Sequence, residues 1–205
     1  MIIDLQKVSK RYTNEWILRN VSYQFVSNKI YGISGSNGSG KSTLVKMIAG
    51  YLSPSVGTIT YIKGEHKVSK DDIYKSVSLW GPHVNLINEL TIKEMVNYFF
   101  KFKTLRKGLS IPAFFEILDL PLPASRRIDS LSSGQTQRIG LALSILSDTA
   151  ILLLDEPSSY LDESSLAWLY QLIEEYKLDR TIIISSNEPS DLEYCEELLT
   201  ISDYK

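Results

Sequence analysis

The sequence is poor in the residues that build covalent or metal-bonded frameworks. Cysteine occurs once, at Cys195, which excludes a disulfide within the chain and any cysteine-based zinc site. Histidine occurs only as His66 and His83, too few and too far apart for a metal constellation. An excess of one charge is also missing: 22 Lys plus Arg stand against 24 Asp plus Glu, for a net charge of −2. That balance gives no electrostatic grip along a phosphate backbone, so nucleic acid is not an expected partner. No apolar run approaches the roughly 18 residues that read as a membrane-spanning helix. The opening MIIDLQKVSKRY has no long apolar core of the kind that directs secretion. The expectation is a cytoplasmic chain in a reducing setting that serves a membrane, if at all, from outside the bilayer.

What is present suits one globular domain: 205 residues, of which 43% are hydrophobic. Short runs rich in Ile, Val and Tyr alternate with helical patterns, which predicts an α/β fold with a largely parallel sheet covered by helices. Residues 30–34 read as a buried strand. A glycine-rich loop follows, then a helix over 41–49 that stops at Gly50. Further strands are predicted at 58–62, 77–80, 151–154 and 181–185, all assigned to the central sheet; the last two are continuous apolar or β-branched runs of the kind buried on both faces. From about 91 to 146 the pattern turns wholly helical. Thr91 and Glu94 have capping-box spacing, with Leu90 and Met95 placed as a hydrophobic staple, so a helix should start at Thr91 and run through Phe100. Pro112 lies in the first turn of a second helix carrying Phe114, Phe115, Ile117 and Leu118, which Pro121 and Pro123 end. The expected organisation is a single domain over 1–205, with a core at 1–90 and 147–205 and a helical insertion at about 91–146.

Gly35-Ser36-Asn37-Gly38-Ser39-Gly40-Lys41-Ser42 matches the phosphate-binding pattern G-x-x-x-x-G-K-[ST], and it lies between a predicted strand and a predicted helix as the chemistry requires. Glycines let successive backbone N–H groups converge on phosphate oxygens, and the helix N-terminus adds partial positive charge. Lys41 should reach the β- and γ-phosphates, and the Ser42 hydroxyl should take a place on Mg²⁺. The strand at 151–154 runs into Asp155-Glu156, two adjacent carboxylates with separable tasks. Asp155 can hold the metal shell while Glu156 polarises the water that attacks the γ-phosphate.

Leu131-Ser132-Ser133-Gly134-Gln135, ahead of those carboxylates, makes the chain resemble the ATP-binding cassette (ABC) family, whose signature is L-S-G-G-Q. Ser133 stands where a glycine is usual, and Gln137-Arg138 follows in the customary place. The resemblance spans about residues 5–201 and implies a P-loop NTPase core with an N-terminal antiparallel β part and an inserted helical subdomain. It implies ATP bound by Gly35, Ser36, Asn37, Gly38, Ser39, Gly40, Lys41, Ser42 and Thr43, with Tyr12 stacking on adenine and Trp16 as its rival. Ser132, Gly134 and Gln135 would meet the terminal phosphate of a nucleotide held by a second cassette, identical or different. Mg²⁺ would sit on Ser42 and Asp155, and Glu156 would be catalytic. Asp162, in Ser159-Tyr160-Leu161-Asp162, resembles an interface residue of the dimer. A separate transmembrane permease is the implied partner, docking near Trp80, Val84, Leu86 and Ile87 with Tyr98 to Phe102 behind, although aromatics in such a run are more often plain core; the partner places the chain peripherally on the inner face of the cell membrane. The length and Trp80-Gly81 also resemble the small cassettes of haem export.

Two positions depart from the family pattern. Pro82 or His83 stands where a glutamine is usual, and Asn187 where a histidine contacts the γ-phosphate. Proline offers no side-chain donor or acceptor, and asparagine keeps an amide but cannot become a cation. The leading expectation is an ATP-hydrolysing transporter subunit. The alternatives are a cassette that binds nucleotide with weak or no hydrolysis, and a soluble ABC ATPase without a transporter.

Overall fold

The computed structural model describes residues 1–204. In chain order its elements are β1 (Ile2–Tyr12), β2 (Glu15–Phe25), β3 (Lys29–Ser34), α1 (Lys41–Ile48), β4 (Val56–Lys63), β5 (His66–Val68), β6 (Val77–Trp80), α2 (Ile92–Phe99), α3 (Ile111–Leu118), α4 (Ser133–Ile145), β7 (Ile151–Asp155), α5 (Glu163–Glu175), β8 (Thr181–Ser185), α6 (Pro189–Glu193) and β9 (Glu197–Thr200). β2, β1, β4 and β5 form one sheet in that spatial order, and β6, β7, β8, β3 and β9 form the other. The first sheet is antiparallel. In the second, every neighbouring pair is parallel.

β7 and β8 are buried at every position. Side chains alternate across a strand, so such a run feeds two cores at once. Ile151 and Leu153 enter a core shared with α1 and the antiparallel sheet, whereas Leu152 and Leu154 enter a core made with α2, α3, α4 and α5; Ile183 parts from Ile182 and Ile184 in the same way. The parallel sheet is thus covered on both faces. Tyr61 on β4 ties the antiparallel sheet to α1, its buried hydroxyl donating to the Ile48 carbonyl at 2.8 Å. That carbonyl lies in the last turn, where the helix offers no partner of its own.

The strand over 58–62 is present as part of β4, but it belongs to the antiparallel sheet and not to the central one. Thr58 and Thr60 alternate with Ile59 and Tyr61, and only Tyr61 of these is fully buried. Alternation of that kind marks a strand with one wet face, which a doubly covered parallel sheet does not accept. The stretch over 91–146 is not wholly helical. Residues 100–110 and 119–132 run between the helices and add isolated bridges Thr91 to Arg127 and Leu105 to Ser147. α2 carries the capping box, with Thr91 and Glu94 bonding each other's backbone N–H. α3 ends at Asp119, which takes a left-handed conformation (φ +46), ahead of the two prolines.

Trp80 is buried, at 5% exposure. Its indole lies so close to α4 that a Cβ on Gly140 would come within 2.1 Å of the ring. It is therefore core and not part of a docking face, and Leu86 is buried likewise. At the other end of α4, Arg180 is 1% exposed. Its guanidinium donates to the Ile145, Ser147 and Thr149 carbonyls and to the Thr149 hydroxyl. Helix C-termini carry negative partial charge and open carbonyls, so a buried cation finds acceptors there without a carboxylate. Burial pushes its pKa down to about 9, which still leaves it charged at neutral pH.

Arg180→Met should leave those carbonyls without donors and cost about 2–4 kcal/mol. Thermal melting reads this at roughly 2–4 °C per kcal/mol for a domain of this size. An unchanged melting temperature would contradict the role given to Arg180.

Candidate functional site

β3 ends at Ser34, and the chain then turns through Gly35 to Gly40 before α1 begins. Gly40 is the N-cap residue of α1, at φ +107, with no side-chain cap and no acidic residue in the first turn. A Cβ at Gly40 would also meet Ile17 at 2.9 Å, so both the conformation and the space require glycine. The first amides of α1 are left for an incoming anion. Asn37 through Thr43 line a cleft together with Tyr12 and Ile17 from β1 and β2, and Glu156 closes it from beyond β7. Gly35 and Ser36 lie behind this lining. Their carbonyls accept from Lys41 Nζ at 2.7 and 3.4 Å, the second a long contact. Lys41 is only 5% exposed, and its ammonium rests on the loop that a phosphate would occupy.

Tyr12 is half exposed and lines the cleft. Trp16 does not: the Arg11 and Arg19 guanidinium groups lie 5.6 and 5.8 Å from its ring. Of the two aromatic candidates, the structure brings only Tyr12 to the phosphate loop.

Asp155 ends β7 beside Ser185 of β8. Asp155 is 4% exposed, and its carboxylate Oδ1 is buried without a hydrogen-bond partner. The Ser185 hydroxyl next to it and the Ser39 hydroxyl in the loop are also buried and unpartnered. Buried polar atoms of this kind are normally satisfied. A buried carboxylate oxygen without a donor, with the Ser42 hydroxyl in the adjoining cleft, suits a hard divalent cation with oxygen ligands. Glu156 follows at φ +51, a left-handed conformation uncommon for a side chain of this size, fixed by its N–H donating to the Ser185 carbonyl at 2.7 Å.

The signature string lies elsewhere. Ser132 caps α4, accepting from Gln135 N–H, while the Gln135 side chain accepts from Ser132 N–H. A Cβ on Gly134 would come 2.7 Å from the Tyr160 carbonyl, so the helix start packs directly on the loop after β7. Ser132, Ser133, Gly134 and Gln135 line a second cleft with Arg138, Tyr160 and Asp162. No residue lines both clefts. Asp162 also caps α5, accepting from Ser165 N–H and the Ser164 hydroxyl, which holds its carboxyl below the usual range.

Pro82, His83 and Asn187 are exposed. Four residues beyond Asn187 lies a residue that its own sequence context does not single out. Asp191 is fully buried and accepts from the Ser158, Ser186 and Tyr170 hydroxyls at 2.7, 2.7 and 2.8 Å. It joins the loop after Glu156 to the segment after β8. No local pattern announces it, because two of its three donors are more than 20 residues away.

Comparison with known proteins bears on the family and the fold. A family model described as ABC transporter matches residues 18–159. An uncharacterized ABC transporter ATP-binding protein of Bacillus subtilis, YybJ, is 34% identical, with the alignment covering 93% of this chain and 88% of that one. The Nod factor export ATP-binding protein I of Rhizobium johnstonii is 32% identical over 78% of this chain, which spans about half of that relative, 52%. A bacterial ABC transporter cassette solved as a dimer, MJ0796, superposes with a TM-score of 0.80 at 25% identity, covering 97% of this chain and 94% of its own.

Lys41→Ala should abolish binding of a nucleoside triphosphate, since a desolvated cation facing several phosphate charges far outweighs a surface ion pair. Tyr12→Ala should weaken binding by about tenfold or more, the worth of one base on an aromatic ring, and Trp16→Ala should leave it unchanged. Titration with a fluorescent nucleotide analogue checks all three, and equal losses at Tyr12 and Trp16 would refute the placement of the base.

Proposed function

The chain belongs to the ABC transporter family of ATP-binding cassettes, and from that premise we propose that it binds and hydrolyses ATP as the motor subunit of a transporter, two cassettes closing on two nucleotides to drive a separate permease. The observation that carries this reading is the division of parts between clefts. The phosphate loop and Glu156 share one cleft, while Ser132, Gly134 and Gln135 line another. A site that needs both sets is completed by a second cassette placed head to tail, the signature cleft of each over the phosphate loop of the other.

In the closed pair the adenine stacks on Tyr12 and the amides of residues 37–43 surround the phosphates. Lys41 exchanges the Gly35 carbonyl for phosphoryl oxygens. Ser42 and Asp155 would hold Mg²⁺, which when bound neutralises charge on the β- and γ-phosphoryl oxygens. Glu156 orients the attacking water and takes up its proton. Ser132 and the Gly134 amide of the partner, at the N-terminus of its α4, stabilise the negative charge of the γ-phosphate. Residues 91–146 act as a helical arm on a core of 1–90 and 147–205, carrying the signature toward the partner.

The permease contact is a groove lined by Tyr51, Tyr74, Val84, Phe99 and Lys103. The support is exposure: Tyr51 and Tyr74 are 73% and 60% exposed, and Phe102, on the same arm as Phe99, is 71% exposed. Among the described residues no helix is long and apolar enough to cross a membrane. In this reading the chain works at the inner face of the cell membrane through that permease.

Exposed Pro82 and Asn187 supply neither of the family's usual polar groups at their positions, so turnover is slower than binding would allow. Purified protein with Mg²⁺ should release phosphate from ATP, and Glu156→Gln should cut release to a small residual rate while keeping nucleotide affinity. Tight binding with no hydrolysis under any condition, permease included, would favour a nucleotide-gated structural role. Pro82→Gln combined with Asn187→His should raise the rate, and an unchanged or lower rate would show that the loops are adapted to the present residues.

A further inference from the structure

Glu156 holds a left-handed backbone conformation, and such conformations persist where the surroundings over-determine them. Three ties meet at its loop. From the β8 side, the Ser185 carbonyl accepts from Glu156 N–H. Further along, Asp191 holds the Ser158 hydroxyl and so fixes the loop to the core. The third tie comes from α4: the Gln137 amide donates to the Pro157 carbonyl at 3.0 Å and, more weakly, to the Glu156 carbonyl at 3.4 Å.

Gln137 is itself held. Its Oε1 accepts from the Trp80 indole N–H at 2.8 Å, and both residues are less than 10% exposed. The indole is seated against Gly140, one turn along α4. A buried amide whose oxygen and nitrogen are both engaged has one orientation available. The chain from β6 to α4 to the Glu156 loop is therefore continuous, and β6 ends immediately before Gly81 and the exposed Pro82.

We propose that Gln137, oriented by the Trp80 indole, is a positioning residue for Glu156, so that the seating of α4 against β6 sets the catalytic carboxylate of the same chain. The proposal rests on the ATPase reading for its kinetic consequence. Its structural half, that Gln137 holds the loop at 156–160, stands apart from it.

Two variants test it in the full-length protein. Gln137→Met keeps the length and removes the amide; Trp80→Phe keeps an aromatic ring near Gly140 and removes the N–H. Each should lower kcat for ATP by roughly 10- to 100-fold, the scale of a misplaced catalytic group, with KM for ATP changed less than about twofold. Combined with Glu156→Gln, Gln137→Met should lower the residual rate no further, because the group it positions is already gone. Hydrogen exchange should quicken at the Ser159 and Leu161 amides, which bond within this loop, and stay unchanged at Leu44 in α1. A parallel fall of kcat and melting temperature with a raised KM, or multiplying effects in the double variant, would overturn the positioning role in favour of general destabilisation. Unchanged exchange at Ser159 and Leu161 would overturn it outright. If wild-type protein hydrolyses no ATP, the ATPase reading fails, and the exchange of those amides still decides whether Gln137 holds the loop.

Discussion

Parallel pairing of β3, β8 and β7 brings the C-terminal ends of three strands to one edge of the sheet, and the rest of the site depends on that edge. A triphosphate with its cation presents more charge than one local segment can meet. The glycine loop leaves β3, the two carboxylates leave β7, and the segment with Ser186 and Asn187 leaves β8. These stretches are distant in sequence and adjacent in space only because the strands run the same way in register, Ile33 opposite Ser185 and Ser185 opposite Asp155. The two-sided burial of β7 and β8 makes this rigid. A slip of one residue would exchange the two cores' side chains, so the register is fixed by the same apolar runs that build the cores.

The edge is also where the fold leaves polar groups unmet. Asp155 Oδ1 and the Ser39 and Ser185 hydroxyls are buried without partners, and Lys41 spends its ammonium on backbone carbonyls. Each unsatisfied buried group costs about 1–3 kcal/mol. Away from the edge Arg106 Nη1 is also without a partner, but the most deeply buried charged groups are satisfied: Arg180 meets four acceptors and Asp191 three donors. The contrast separates residues that hold the fold from residues kept ready for a ligand.

Much of this edge was legible in the sequence, and the reasons are local. The phosphate loop, the carboxylates and the signature are contiguous strings whose chemistry depends on spacing, and the cap at Thr91 needs only Glu94 three residues on. β4 was misplaced because a strand run alone does not say which sheet it joins; the threonine alternation was the available sign. For Trp80 the family resemblance offered docking surface and the residue type offered core; the fold decides for core by placing Gly140, distant in sequence, against the ring. Asp191 and the hold of Gln137 on the loop after β7 were invisible for the same reason: their partners meet them only in the folded chain.

In the proposed pair each chain supplies the phosphate loop to one site and the signature to the other, from separate clefts. Light scattering of the Glu156→Gln protein, with and without saturating Mg²⁺ and ATP, tests it most directly. The expected result is a species of twice the single-chain mass that forms on adding ATP and is lost when Lys41 is also replaced by Ala. A protein that binds ATP to saturation and keeps the mass of one chain would contradict it.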